Sequence, residues 1–206
     1  QATAAGYPLV PTVTIGANTT DTYSGFADNK LKENAPTTNE GSTNNFEVNK
    51  YSGGDWTTAL VKASGISSIP AGSIITATSL FLYQYLADFA NGTYVVAAKR
   101  CLRNWVEAES TWNIYSTGNS WTTGGAFGNG TDRDTAATFV SAGLDLSTGA
   151  YKELVGNVDA IYDVQRMLDG AIPNYGWMLE RTDASNDFGF RIFRSSEASD
   201  GQRPYL

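Results

Sequence analysis

The sequence predicts an all-β protein with one short helix, and three observations carry that reading. Several short segments alternate apolar and polar residues with a period of two, FEVNKY at 46–51 being the plainest. Between them lie runs of turn-forming residues: NAPTTNEGSTNN, SIPAGS, STGNS, TTGGAFGNGTDRD and SSEASDGQRP. Aromatics make up 12% of 206 residues beside 21 glycines, a balance that suits strands joined by polar turns.

Each element can be justified in turn. In FEVNKY, Phe46 and Val48 share a face with Glu47 and Asn49 opposite. In SIITATSLFLYQY, Leu80 and Leu82 point one way and Phe81 and Tyr83 the other, as for a strand covered on both sides. TYVVAAKRCL, YGWMLE and FGFRIF behave alike, the last with Phe188, Phe190 and Ile192 inward and Arg191 outward. NVDAIYDVQRMLDG breaks the pattern with a helical period over about 158–168. It places Val158, Ile161, Tyr162 and Leu168 on one face and Asp159, Asp163 and Arg166 on another. Asn157 suits its N-cap and Gly170 its stop, and such a helix closes one end of a sandwich.

Size and composition predict one folded domain over residues 21–206, preceded by an arm or linker at 1–20 that is small, Pro-punctuated and almost uncharged. A first strand is expected at Thr12–Ile15. The closing RPYL reads as the start of a strand cut short. The net charge of −7, with 17% charged residues, argues against a nucleic-acid partner, which needs clustered Lys and Arg. No apolar run is long enough to cross a bilayer as a helix, so no membrane partner is expected. With no histidine, His-based triads and His-ligated zinc are excluded; Cys101, the single cysteine, reads as a small core residue. The DFG at 187–189 has no other kinase element around it and reads as the start of a strand.

Several motifs resemble the DNRLRE domain family, in the family's order and across most of the chain. DNKLKEN at 28–34 resembles the naming motif, with Lys30 and Lys32 for arginines. NEGSTNNFEV, SSIPAGSIITATSLFLY and KRCLRNWVEAESTWN are similar to its Asn-x-Gly turn, its long strand and its W-x-E…TWN signature. YDVQRMLDGAIPNYGWMLE and FRSSEASDGQRPYL resemble its helix with N-x-Gly-W-x-L and its final Ser-x-Glu…Pro-x-Leu element. The resemblance implies a jelly-roll-like antiparallel β-sandwich of secreted and cell-surface proteins. Some members are carbohydrate-binding modules, including ones for acidic polysaccharides, and others are phage structural proteins.

Candidate sites follow. Glu107 and Glu109 lie about 7 Å apart along an extended chain, but a glycosidase pair flanks a cleft from two segments. They read as scaffold, with Trp105 and Trp112 anchoring the loop and Glu107 pairing with Arg100, Arg103 or Arg194. Asn129, Asp132 and Asp134 have oxygens spaced for calcium, ordinary turn chemistry being the alternative; DASND at 183–187 is similar. Trp121, Tyr115, Trp56 and Phe127 sit in turn-rich segments where rings can stack on sugars, with Lys30, Lys32, Lys50 or Lys62 needed nearby for a polyanion. The leading expectation is a non-catalytic extracellular module binding a polysaccharide or surface glycan. The alternative is a structural or tail-fibre component of a virion or surface assembly, touching neighbouring subunits through its N-terminal arm. A carboxylate-based polysaccharide lyase or hydrolase is the weakest reading.

Overall fold

The computed structural model describes residues 12–50, 55–88, 94–183 and 189–206. In chain order the strands are β1 (Ile15–Gly16), β2 (Tyr23–Ser24), β3 (Phe26–Lys32), β4 (Asn45–Lys50), β5 (Trp56–Ala63), β6 (Ser79–Asp88) and β7 (Val96–Arg100). They continue as β8 (Ile114–Ser116), β9 (Asn119–Ser120), β10 (Phe139–Ser141), β11 (Ala150–Gly156), β12 (Trp177–Arg181) and β13 (Phe190–Arg194), with helix α1 at Val158–Leu168 between β11 and β12. The expected Phe188, the DASND turn past Asp183 and residues 1–11 of the expected arm lie outside the described residues.

The all-β class holds, and the strands close on themselves. Eight antiparallel strands run β12-β7-β10-β11-β6-β13-β4-β5, and β5 pairs back with β12. Closure comes from β5, which divides one edge between two neighbours. Thr57 and Trp56 face Asn49 and Lys50 of β4, while Ala59, Leu60 and Val61 face β12. Its other edge pairs along its length with β3. The result is a barrel-like ring and not two cleanly separate sheets.

Alternation fills the interior. Phe46 and Val48 of β4, Leu80 and Leu82 of β6, Ala59 and Val61 of β5 and Trp177 and Leu179 of β12 all join one buried core. The β13 expectation is inverted: Arg191 and Phe193 are fully buried, whereas Phe190 and Ile192 are half-buried. A period of two separates the faces of a strand without saying which is inner. Arg191 stays inside because it is satisfied there. Its guanidinium donates to the carbonyls of Asp88, Phe190 and Leu144 and lies 4.3 Å from the Tyr94 ring. The Arg181 guanidinium also lies 4.3 Å from that ring, and Arg181 is bound through two nitrogens to Asp183. The Tyr94 hydroxyl donates to the Val48 carbonyl, and burial pushes its pKa up.

The helix has the expected bounds and N-cap. Asn157 Oδ1 accepts from the backbone N–H groups of Asp159 and Ala160, both at 3.0 Å. Its inward face differs from the expectation. Ala160, Val164 and Met167 enter the core, while Val158 and Tyr162 are 75% and 60% exposed. Leu168 of the expected face is partly buried against that core, and Gly156, lacking a side chain, leaves room for the Ala160 methyl beside the end of β11. Gln165 holds the neighbouring loop, accepting from Ile75 N–H at 2.8 Å and donating to the Ser73 carbonyl at 3.2 Å.

Candidate functional site: two outer faces of the ring

Residues 101–137 lie across one outer face of the ring. Strands β3, β5 and β12 turn Leu31, Leu60 and Met178 outward there. With Cys101, Trp105, Trp121 and Ala126 they form a second buried core. Trp105 is 1% exposed, and its indole N–H donates to the Tyr175 carbonyl at 2.7 Å. Burial pushes the Cys101 thiol well up. Trp112 lies over Gly125, whose φ of 69° and lack of a side chain let the ring settle there.

The ring-stacking residues expected in this loop are largely turned into it. Trp121 is 5% exposed, donates to the Thr111 carbonyl at 3.0 Å and packs against Tyr115 at 5.4 Å between centroids. That burial leaves Trp121 no open face for a sugar. Trp56 and Phe127 meet edge to face at 5.2 Å, and Trp112 meets Phe127 at 5.9 Å. Cations cover the half-buried rings: Lys50 on Trp56 at 4.9 Å, Arg133 on Phe127 at 4.7 Å and Arg103 on Tyr115 at 5.7 Å. Each such contact contributes about 0.5–1 kcal/mol at exposed sites and more where desolvated.

The residues expected to hold calcium face different partners. Asp132 is fully buried and accepts from the backbone N–H groups of Thr122, Thr123 and Gly128 at 2.9, 2.9 and 3.1 Å. Asn129 Oδ1 accepts from Arg133 Nε at 3.2 Å, and Asp134 pairs with Arg100 at 2.7 Å. Among the described residues no three acidic, cysteine or histidine side chains cluster as a metal-holding group. Asp132 acts as an internal staple that closes the loop with one carboxylate.

The two glutamates separate as well. Glu107 Oε1 accepts from Asp28 N–H at 2.7 Å, and Glu109 Oε2 accepts from Thr117 N–H at 2.7 Å. The arginine partner expected for Glu107 is replaced by a backbone amide, with Lys62 as the nearby cation. Arg100 instead pairs with Asp134 and Asp163, Arg103 with Asp132, and Arg194 lies over the Tyr85 ring.

Around Glu107, four of the sequence motifs meet. Asn29 Nδ2 donates to Ser110 O and Oγ, both at 2.7 Å, and Asn39 Nδ2 donates to Glu107 O and Ser110 O at 2.7 and 2.8 Å. Asp28 Oδ2 accepts from Ser196 N–H at 2.7 Å. Gly41 lies directly against the Glu107 carbonyl, where a Cβ has no room. DNKLKEN, the Asn-x-Gly turn, W-x-E…TWN and Ser-x-Glu therefore form one polar seam that docks the loop to the ring. Burial pushes Asp28 well above the usual carboxylate range and also raises Glu107.

A different face is open. With Leu80, Leu82 and Gln84 buried, β6 turns Phe81, Tyr83 and Tyr85 outward at every second position. The expectation of cover on both sides fails here: Phe81 and Tyr83 are half-exposed, and Tyr85 is 45% exposed. Register brings further rings beside them, since Tyr151 of β11 faces Tyr83 and Tyr205 faces Phe81. Phe81 stacks on Tyr205 at 4.7 Å, Tyr205 meets Tyr151 edge to face at 5.0 Å, and Tyr151 meets Tyr83 at 5.3 Å. The platform continues over exposed Val155 and Val140, cross-strand partners on β11 and β10. Polar groups border it. The Tyr151 hydroxyl donates to the Arg203 carbonyl at 2.9 Å and accepts from Asn18 Nδ2 at 3.2 Å, and Glu153 is paired across from Phe81. Burial, then the Asp21 and Glu153 carboxylates, push the Tyr205 phenol up, so it remains a neutral donor. Aromatics at every second position of SLFLYQYL were the available sequence signal, and reading the strand as doubly covered hid it.

No family model matches the chain, and no curated protein is significantly similar to it. Among the described residues no helix is long and apolar enough to cross a membrane.

Proposed function

We propose that the protein is a non-catalytic, extracellular β-sandwich module of jelly-roll type that binds glycan on the open face of β6 and β11. One observation carries the reading: Phe81, Tyr83 and Tyr85 project at alternate positions of one strand, with Tyr151 and Tyr205 beside them. Aromatic faces receive the C–H surface of pyranose rings, and exposed Glu153 with the Tyr83 and Tyr85 hydroxyls suits a sugar's polar edge. The DNRLRE resemblance supports the module class and the surface location. Asp21 and Glu153 beside Tyr205 disfavour a polyanionic chain at that end of the platform, while Arg194 over the Tyr85 ring makes the other end positive. The divergent Glu107 and Glu109 support scaffold and not bond cleavage.

Affinity electrophoresis against neutral and acidic polysaccharides tests this. Retardation is expected in a neutral gel. Tyr83→Ala is expected to weaken it by about 1–3 kcal/mol, by analogy with the stacking of bases on aromatic rings. Absence of retardation by any polysaccharide defeats the reading. A second reading, a structural component of a virion or surface assembly, draws on the groove bordered by Val13, Ile69, Ile74 and Val164 beside the platform, which no charged side chain lines among the described residues. It predicts a stable oligomer in sedimentation, and a strictly monomeric protein counts against it.

A further inference from the structure

The pairing of β13 with β6 slips at one end of the platform. Phe193 faces Gln84 and Ile192 faces Leu86, so Tyr85 is an extra residue of β6 with no partner on β13. A bulge of this kind bends the strand and re-aims its side chains. Tyr85 and Leu86 both turn outward there, 45% and 44% exposed. Arg194, one place beyond Phe193 on β13, crosses to the bulged residue and lays its guanidinium over the Tyr85 ring, 3.5 Å from the centroid.

That arginine differs from the others. Arg100, Arg103, Arg133, Arg181 and Arg203 each pair with a carboxylate, and Arg191 is bound to backbone carbonyls. Arg166 rests on Tyr162 of α1, away from the platform. Arg194 has no carboxylate or hydrogen-bond acceptor among the described residues, and its Nε is enclosed without a partner. Across β4 it faces Asn45, and Glu47, the next outward acid on that strand, accepts from the Asn49 side chain. A guanidinium stacked on a ring keeps its N–H donors in its own plane, pointing past the ring edge, where a carboxylate can take two of them at once. At the opposite end Glu153 is paired across from Phe81, and the Asp21 and Glu153 carboxylates act on Tyr205. Phe81 and Tyr85 stand about 13 Å apart along β6, farther than the ~8 Å over which physiological salt screens exposed charges, so each end acts on its own.

We propose that the Tyr85–Arg194 corner is a carboxylate-reading subsite of the platform, and that the preferred ligand is a largely neutral glycan carrying one acidic sugar at that end. The proposal rests on the glycan reading and adds to it a polarity along β6. The acidic sugar lies beside Tyr85, its carboxylate oxygens taking the Nη N–H groups of Arg194, and neutral sugars run over Tyr83 and Phe81 towards Glu153. A wholly neutral chain leaves the guanidinium unused. A chain with an acid on every residue gains at Arg194 and meets repulsion from Asp21 and Glu153.

Calorimetric titration of the full chain compares xylotetraose, xylotetraose with a single glucuronic acid branch, and tetragalacturonate. The branched probe should bind about tenfold more tightly than the neutral one, as for a hydrogen bond to a charged group. Tetragalacturonate should bind more weakly than the branched probe, and the preference for the branch should shrink as salt rises. Arg194→Gln should bring the affinities of the branched and neutral probes to a ratio of about one. Arg194→Lys, which keeps the charge without the fork, should retain only part of the preference. Equal affinity for branched and neutral probes, a preference undiminished in both Arg194 variants, or tightest binding of tetragalacturonate overturns the proposal, as does failure to bind any of the three. The glycan reading is decided separately: it stands if Tyr83→Ala weakens uptake of a neutral chain, even where the acid adds nothing.

Discussion

Two aromatic groups lie on the outside of the same ring of strands, and they differ in what covers them. On the β3-β5-β12 face, Trp105 and Trp121 are sealed beneath residues 101–137 and bonded through their indole N–H groups to backbone carbonyls. On the β6–β11 face, Phe81, Tyr83, Tyr151 and Tyr205 contact one another and remain half-exposed. The two sealed indoles thus lie under a loop that crosses the ring, whereas the outward rings of β6 and β11 contact chiefly one another; Trp56, Trp112, Tyr115 and Phe127, around that loop, are half-buried like Phe81 and Tyr83. A loop long enough to cross a sheet face needs its own core, and large aromatics supply it; a strand already packed on its inner side needs nothing from its outer side.

The sharpest way to break this contrast is to truncate one ring on each face. Trp105→Ala removes a 1%-exposed indole and is expected to cost about 3–5 kcal/mol, measured as a loss of urea midpoint. Tyr83→Ala on the open face is expected to cost about 1 kcal/mol or less, within the range of cross-strand pairs. Equal losses at both positions would mean that the open face is as structural as the covered one.

A smaller effect is expected at the staple of the covering loop. Asp132 accepts three backbone N–H groups with no exposure to solvent, so Asp132→Ala strands those buried donors. About 1–3 kcal/mol should be lost. Added calcium should leave the wild-type melting temperature unchanged if the staple reading is right, and a rise on adding calcium would restore the cation reading for this loop.

How much of this was legible beforehand depends on which rule governs each residue. The alternation in FEVNKY and SLFLYQY and the cap at Asn157 are local, and strands β4 and β6 and helix α1 lie where those signals put them. The orientation of β13 was not legible, because Arg191 is held inside largely by Asp88, Leu144 and Tyr94, all distant in sequence. For the same reason Glu107 could not be matched to Asp28 N–H, nor Trp121 to the buried core, before β3 and the loop were brought together. The motif order anticipated that certain residues matter, and the geometry shows several of them joined in one seam. The platform was visible as spacing but misassigned, since periodicity separates two faces without saying whether a second layer covers one.

The seam also gives the covered face the larger response to pH. Asp28 is held well above the ordinary carboxylate range, first by burial and then by the nearby Glu197 and Glu107 carboxylates, against the Ser196 N–H bond that favours the charged form. Glu107 is raised as well, chiefly by burial, with Asp28 N–H and Lys62 opposing. An acid whose folded pKa lies above its unfolded value holds its proton more tightly in the folded state. Its contribution is therefore complete at low pH and is lost as pH rises from the ordinary carboxylate range through the folded value. The covered face should loosen across that window; the open face has one raised carboxyl of its own, Asp21 near Tyr151 and Tyr205, which is pushed up less than Asp28, so its response should be the smaller. Asp28→Asn removes the titrating group yet keeps an acceptor for Ser196 N–H, so its urea midpoint should depend less on pH and should not fall below wild type at neutral pH. Tryptophan fluorescence, to which Trp105 beside the seam contributes as one of five indoles, should follow the wild-type loosening and lose part of that pH response in the variant. An unchanged pH slope in Asp28→Asn would place the sensitivity on Glu107, the other raised carboxyl of the seam.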